Sequence, residues 1–356
     1  GIAERGSDYF YRGDFAGKWV EQLQREGSLI SQQDLAAYQP LFSPPVSTRF
    51  REYSIYAAPP PQSGMTLLQI LNMVELIPAQ DWEPFEKNAA SVYWMCEVTR
   101  SADADRYAYL CDPRFHDVPV SGLLNKQYAK LRFSEIDGPP DLPAELRKVS
   151  AGDPVPYQSF RENQPAPETP PVESPHTTHI STIDEQGNMV SLTQTLGYFF
   201  GSGISQDGVL FNSGMTNFSR RGVNKMAPNK RPRSTITPVI IMQENQPVAV
   251  LGTPGGGTIF NVMAQVIVRL LDFGESPASV LDAPRFSVRS SSEKLSMENR
   301  FDDTIVNRLE LQGYETDLSS AYDVYMGGVH LILVDPNNHL YIGVADPRRQ
   351  GVAGGF

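Results

Sequence analysis

Cysteine is almost missing from this chain, with only Cys96 and Cys111 among 356 residues. Neither lies in a CxxC or Cys/His cluster, so a disulfide framework and a structural zinc site are both disfavoured, and the pair reads as two small buried hydrophobes; a single bridge stays open. No apolar run reaches the ~18–20 residues that a membrane helix needs. The longest candidate, residues 262–271, is interrupted by polar side chains. The opening Gly-Ile-Ala-Glu-Arg-Gly lacks the basic start and apolar core of a signal peptide. Dense Lys/Arg runs are missing as well. With a formal net charge of −11 and one short basic stretch, Asn229-Lys230-Arg231-Pro232-Arg233, the chain is unsuited to neutralising a nucleic acid.

What is present is a globular composition, 40% hydrophobic and 20% charged, sufficient for a buried core. The spacing of Phe15, Trp19, Val20 and Leu23 predicts a helix over residues 15–26, and Ser31 with Asp34 opens another short turn. Residues 53–58 predict a strand ending in Pro59-Pro60-Pro61, and residues 66–76 and 89–110 predict helices, the second carrying Asp103, Asp105 and Arg106. Residues 134–176 hold ten prolines in 43 positions and read as an accessible linker. Beyond it the chain turns β-rich. Residues 179–184 and 189–195 alternate with period two around Glu185-Gln186-Gly187-Asn188, which predicts a hairpin. Strands at 209–211, 239–242, 248–251, 329–334 and 340–344, with helices at 259–271 and 303–312, predict a helix-covered sheet rather than an all-β sandwich.

Reactive centres narrow by elimination. The G-x-S-x-G elbow of a serine hydrolase is absent, since Gly203-Ile204-Ser205-Gln206-Asp207 lacks the closing glycine. Histidines stand scattered at 116, 176, 179, 330 and 339, so neither a metal nor any other cofactor is expected. Thr253-Pro254-Gly255-Gly256-Gly257-Thr258 lacks the lysine of a phosphate loop, yet its glycines let backbone N–H groups approach a ligand oxygen such as a transient oxyanion. A plain strand-to-helix turn is the alternative there. Thr177 follows the proline-rich segment directly. A threonine hydroxyl is a weak nucleophile, but an N-terminal threonine carries its own α-amine, of pKa near ~7.7–8.0, as base. On pattern alone, Thr177-Thr178 entering a strand is equally an expression of β-propensity.

Assembled, these residues resemble the gamma-glutamyltranspeptidase family of N-terminal-nucleophile hydrolases. The resemblance rests on Thr177-Thr178-His179-x-Ser181 with Asp184-x-x-Gly187-Asn188, then Phe200-Gly201-Ser202-Gly203-Ile204, Asn229-Lys230-Arg231-Pro232, Pro254-Gly255-Gly256, Asp282-Ala283-Pro284-Arg285-Phe286 and Asp346-Pro347-Arg348. Ahead of the linker, Pro59-Pro60-Pro61-Gln62-Ser63-Gly64 and Ala104-Asp105-Arg106-x-x-Tyr109-Leu110-x-Asp112-Pro113 are similar to large-subunit motifs. The resemblance implies an α+β fold, a four-layer αββα sandwich, incomplete at its N-terminal side. It implies that residues 1–176 are the C-terminal part of the large-subunit region, and that residues 177–356 become the small catalytic subunit after self-cleavage at His176–Thr177.

In the family's pattern Thr177 is the nucleophile, Thr195 positions it, the N–H groups of Gly255 and Gly256 form the oxyanion hole, and Ser234 and Thr235 hold the substrate carboxylate. The implied reaction cleaves a γ-glutamyl or similar acyl amide through a threonine acyl-enzyme and passes the acyl group to water or an amine. The implied partner is the other subunit of a processed heterodimer, in a periplasmic or secreted setting; the front of the large subunit is either supplied by another polypeptide or absent from a truncated member that packs differently. Three departures shape the substrate expectation. Gly197, Gly214 and Asn217 stand where the family places residues that hold the substrate, so charge-assisted binding of an ammonium is lost. The 217–229 segment is too short for a lid loop, which implies an open cleft suited to larger acyl groups or polymers. The front of the large subunit, with its carboxylate-binding arginine and strands of the shared sheet, has no counterpart here. A relative that binds γ-glutamyl-like ligands with weak or no turnover is the alternative.

Overall fold

The computed structural model describes residues 1–141, 143–158, 176–335, 338 and 340–355. Most of the back of the predicted linker, residues 159–175, and the histidine at 339 therefore lie outside the described residues. Helices α1 (Ile2–Tyr11), α2 (Asp14–Arg25) and α3 (Gln32–Ala37) open the chain. The strands β1 (Val46–Phe50) and β2 (Tyr53–Ala57) lead into α4 (Gly64–Val74), α5 (Ala89–Tyr109), α6 (Val120–Leu123) and α7 (Lys126–Ser134). Next come β3 (His176–Ile183), β4 (Met189–Gly197), β5 (Ser205–Gln206), β6 (Val209–Leu210), β7 (Val239–Gln243) and β8 (Gln246–Gly252). The remainder is α8 (Ile259–Leu271), α9 (Pro277–Asp282), β9 (Phe286–Val288), β10 (Lys294–Glu298), α10 (Asp303–Leu311), β11 (Glu315–Ser319), β12 (His330–Val334) and β13 (Tyr341–Ala345).

The chain divides into two units, one of Gly1–Pro44 with Leu196–Gly214, the other of Pro45–Thr195 with Met215–Phe356. In the smaller unit, Ala16, Val20 and Leu35 make a small core and the Trp19 ring meets Phe211 edge-on at 4.8 Å. Ser31 and Asp34 form a full capping box on α3, satisfying two of the amides that a helix start leaves open.

The larger unit is built on a six-stranded sheet in the order β1-β2-β7-β8-β12-β13, antiparallel throughout. Side chains of a strand alternate faces, so register decides which residues share a layer. Ala57, Val239, Leu251 and Leu331 stand in one row across four strands. All four are buried in the core beneath α4, α5 and α8. Each large aliphatic side chain buried there contributes about 1.5–3 kcal/mol. The opposite face carries the hairpin of β3 and β4: β3 packs on β8 and β12, and Ser191 Oγ donates to the Leu251 carbonyl while accepting from Val239 N–H.

Helices, sheet and hairpin make three layers among the described residues of this unit. The fourth layer of the expected αββα sandwich is not formed by them. Ile180, Val190 and Leu192 accordingly remain exposed on the hairpin face turned away from the sheet, because only the alternate positions, His179, Ser181 and Ser191, find partners beneath. A second, three-stranded sheet, which the sequence pattern had not indicated, runs β11-β10-β9 with β10 parallel to β11.

The described front of the proline-rich segment is mostly exposed yet stitched down. Gly152 N–H donates to Asp105 Oδ1 at 2.8 Å, Arg132 Nη2 to the Ser150 carbonyl at 2.8 Å, and Arg100 Nη2 to the Arg147 carbonyl at 2.7 Å. Buried charges on α5 and α7 need partners, and the segment's backbone supplies them.

Candidate active site

The hairpin places His176, Thr177 and Thr195 together. Thr195 Oγ1 donates to the His176 carbonyl at 2.5 Å, the carbonyl of the peptide bond that precedes Thr177. Thr195 itself is exposed and Thr177 half-buried. His179, two residues along β3, is buried at 1% exposure with its ring over Gly252, where a Cβ would lie 2.2 Å from ring carbon Cε1. Only glycine fits there.

His179 braces the two strands. Its Nδ1 lies 2.7 Å from Thr193 Oγ1 and its Nε2 3.0 Å from Ser181 Oγ, while Ser181 Oγ donates to the His330 carbonyl at 3.1 Å. Because the Ser181 proton is spent on His330, Ser181 accepts from His179 Nε2–H, which leaves Nδ1 to accept from Thr193. That assignment needs a neutral ring. Burial, reinforced by the neighbouring His330, pushes the His179 pKa down to about 3 and keeps it neutral. In sequence His179 stands out only within its motif; a polar residue at an inward position of a strand is the signal that marks it.

The glycine turn leaves β8 and opens α8. Gly255 has φ 148° and Gly256 φ 58°, backbone that favours glycine, and the amides at a helix start lack intrahelical acceptors. Thr258 Oγ1 lies 3.0 Å from the Gly255 carbonyl and 2.9 Å from the Tyr325 carbonyl, which share its single proton. The Tyr325 ring in turn lies 6.4 Å from that of His176, so the turn and the His176–Thr177 bond share a neighbour. Burial, followed by the charge of Arg349, lowers the His176 pKa from its ordinary value.

Ser234 and Thr235 are positioned from α4 and α5. Arg106 Nε donates to Ser63 Oγ at 3.0 Å, and Ser63 Oγ donates to the Ser234 carbonyl at 2.7 Å. Ser234 N–H donates to the Pro61 carbonyl at 3.0 Å, and its hydroxyl accepts from Ile236 N–H. Asp112 takes Arg231 N–H and the Arg231 and Arg114 guanidinium groups. Burial alone would raise the Asp112 carboxyl, but the two arginines outweigh it and hold it far below the usual carboxylate range. Asn217 joins this region through Asn224, which donates to the Asn217 carbonyl and accepts from Arg233 N–H.

Gly197 and Gly214 fall in the smaller unit. Gly197 has φ 88°, and a Cβ there would lie 2.3 Å from Ser213 Oγ, so the serine occupies the space of a side chain. Gly214 N–H donates to Asn212 Oδ1 at 2.8 Å. The remaining motifs are scaffold. Arg348 grips Glu298 through Nε at 2.6 Å and Nη2 at 2.7 Å, and Arg285 meets Asp346 at 2.5 Å, all four buried. Among the described residues no group of three or more His, Cys, Asp or Glu is placed to hold a metal ion. No helix among them is long and apolar enough to cross a membrane.

A threonine-bearing hairpin over an antiparallel sheet backed by helices, with a glycine turn at its rim, defines the scaffold of an N-terminal-nucleophile hydrolase. The chain belongs to the gamma-glutamyltranspeptidase family, whose sequence model, described as Gamma-glutamyltranspeptidase, matches residues 1–356. It is 35% identical to the glutathione hydrolase proenzyme of Escherichia coli (strain K12), an alignment covering 98% of this chain and 58% of the relative. It is 30% identical to the acylase ACY 1 proenzyme of Pseudomonas sp. (strain SE83), over 95% of this chain and 57% of that protein. The crystal structure of cephalosporin acylase from Bacillus halodurans superposes with a TM-score of 0.81 at 26% identity, covering 98% of this chain and 59% of that one. The chain thus spans less than two thirds of the length of these relatives. Amidohydrolases and acyltransferases make up this family.

Proposed function

We propose that this chain carries the reactive part of an autoprocessing amidohydrolase or acyltransferase. The Thr177 hydroxyl adds to the His176 carbonyl, the bond from that carbon to the Thr177 nitrogen breaks, and the nitrogen takes the proton as an amine. Water then hydrolyses the resulting ester, leaving a piece ending at His176 and another beginning at Thr177. The freed α-amine serves as base when the same hydroxyl attacks a γ-glutamyl or related acyl amide, and the acyl group passes to water or an amine. The observation that carries this reading is the Thr195 hydroxyl on the His176 carbonyl: a donor already aimed at the oxygen that becomes negative.

In this reading Gly255 and Gly256 supply oxyanion N–H groups, Ser234 and Thr235 hold a substrate carboxylate, and Asn217 borders the acyl group. The two pieces, residues 1–176 with the proline-rich 134–176 segment and residues 177–356, stay associated as large-subunit part and small subunit. The exposed apolar face of Ile180, Val190 and Leu192 receives further polypeptide, which completes the fourth layer. The relatives named proenzymes fit self-cleavage, and the acylase among them fits acyl groups other than γ-glutamyl.

Intact-mass measurement tests it. The parent chain separates at His176–Thr177 while Thr177→Ala stays whole; a parent that remains uncut after long incubation overturns the proposal. The competing reading, a relative that binds without turnover, is favoured by the missing charge at Asn217. γ-Glutamyl, glutaryl and plain acyl anilides assayed together separate the two, since a binder releases product from none.

A further inference from the structure

Three glycines in succession form the turn between β8 and α8, and backbone geometry accounts for two of them: Gly255 and Gly256 sit at positive φ. Gly257 does not, so its backbone alone makes no demand for glycine. The demand comes from a side chain at the end of β9. A Cβ on Gly257 would lie 1.6 Å from Arg289 Nη2, 2.5 Å from Cζ and 2.9 Å from Nη1, so the guanidinium lies across the buried Cα of the third glycine.

Arg289 is fixed at both ends by α5. Its chain neighbour Ser290 donates its N–H at 2.9 Å and its hydroxyl at 2.8 Å to Asp103 Oδ2. At the other end Arg289 Nη1 donates to Tyr107 OH at 3.3 Å. Tyr107 is buried, with the Cζ atoms of Arg106 and Arg233 at 5.0 and 4.7 Å from its ring centre, a cation–aromatic attraction that holds the ring. Asp103 and Tyr107 are four residues apart and therefore share a helix face. Across the turn, the Thr258 hydroxyl lies 2.9 Å from the Tyr325 carbonyl, so the glycines are held from two sides.

Resting on the function proposed above, the Gly255 and Gly256 N–H groups face the substrate carbonyl oxygen as it becomes negative. Such donors work by standing in place before the reaction. Consecutive glycines bring conformational freedom that opposes this. We propose that Arg289 is the positioning residue of the turn: its planar guanidinium braces Gly257 and so keeps the two preceding amides aimed at the oxyanion, with a positive charge beside the place where negative charge develops. The brace is anchored on α5, which precedes the His176–Thr177 bond in the chain, whereas the turn follows it. After self-cleavage one piece therefore aligns the oxyanion donors of the other.

Comparing self-cleavage with turnover separates this role from folding. In the proposed self-cleavage the donor is the Thr195 hydroxyl, so Arg289→Ala cleaves at the parent's rate, which also shows that it folds. On an acyl anilide its kcat falls about tenfold, short of the roughly hundred- to thousandfold of removing an oxyanion donor outright, while KM stays within about twofold. Gly257→Ala, whose Cβ displaces the guanidinium, gives the same pattern, and adding it to Arg289→Ala costs nothing further because the methyl group then has room. Loss of self-cleavage or an unchanged kcat in Arg289→Ala, a rise in KM alone, or full additivity of the two changes overturns the proposal. Backbone order parameters of Gly255, Gly256 and Gly257 read the brace without any chemistry. In the full Thr177→Ala chain they are those of rigid backbone, about 0.85, and they fall toward about 0.6 when Arg289→Ala is added. Unchanged order parameters overturn the proposal whether or not the parent is an enzyme. A parent that neither cleaves nor turns over, with order parameters that do fall, refutes the function alone.

Discussion

Thr195→Val exchanges one hydroxyl for a methyl group and keeps the shape. In the structure that hydroxyl donates to the His176 carbonyl at 2.5 Å. Such a bond is worth about 0.5–1.5 kcal/mol net in the ground state. In the proposed self-cleavage Thr177 adds to that carbonyl, the oxygen gains negative charge, and a donor already in place there is worth about 2.7–4 kcal/mol. Only the excess over the ground state accelerates the step, roughly 1–3.5 kcal/mol, or on the order of ten- to several-hundred-fold in rate. Thr195 is exposed, and surface changes generally cost within about 0.5 kcal/mol of folding stability, so slowing cannot be charged to unfolding. Time courses of intact mass for the parent, Thr195→Val and Thr195→Ser read the effect directly. Thr195→Ser retains most of the parent rate. Cleavage of Thr195→Val at the parent's rate would refute the argument, and equal slowing in both variants would assign the effect to packing instead of the hydroxyl.

Three further outcomes follow from the same geometry. His179 has its pKa lowered to about 3 in the fold against an ordinary 6.5, so the unfolded chain binds a proton that the folded chain refuses. Its contribution to stability is complete above about pH 6.5 and drains away as pH falls toward 3, at up to ~1.4 kcal/mol per pH unit. Urea unfolding of His179→Gln should therefore lose stability less steeply than the parent between pH 6.5 and 4, and parallel curves would contradict this. Gly197→Asn clashes with Ser213 and strains φ 88°, costing about 1–3 kcal/mol. Ser213→Gly in the same chain recovers part of that cost; strictly additive effects of the two changes would count against the steric account. Ile241→Ala, at a fully buried position of β7, lowers stability by about 2–5 kcal/mol in equilibrium unfolding, and a loss under 1 kcal/mol would show that the core is not packed as described.

The sequence by itself determined the elements whose physics is local. The period-two run on either side of Glu185–Asn188 specified the β3–β4 hairpin, the apolar 259–271 stretch specified α8, and Ser31 with Asp34 specified the capped start of α3. The ordered motifs were enough to indicate the family and to single out Thr177. The three-stranded sheet escaped because β9 has three residues and β10 and β11 five each, runs too short to separate from loop even though Lys294–Glu298 alternates polar and apolar. Layering was equally invisible: period two says that a strand has two faces, not what covers each. Only tertiary structure put Thr195 on the His176 carbonyl, since the two are nineteen positions apart along the chain. It alone showed that Ser213 fills the space a side chain at Gly197 would need. Those decisions depend on distances between segments remote in sequence, and such distances are fixed by register and packing, which no single stretch of the chain encodes.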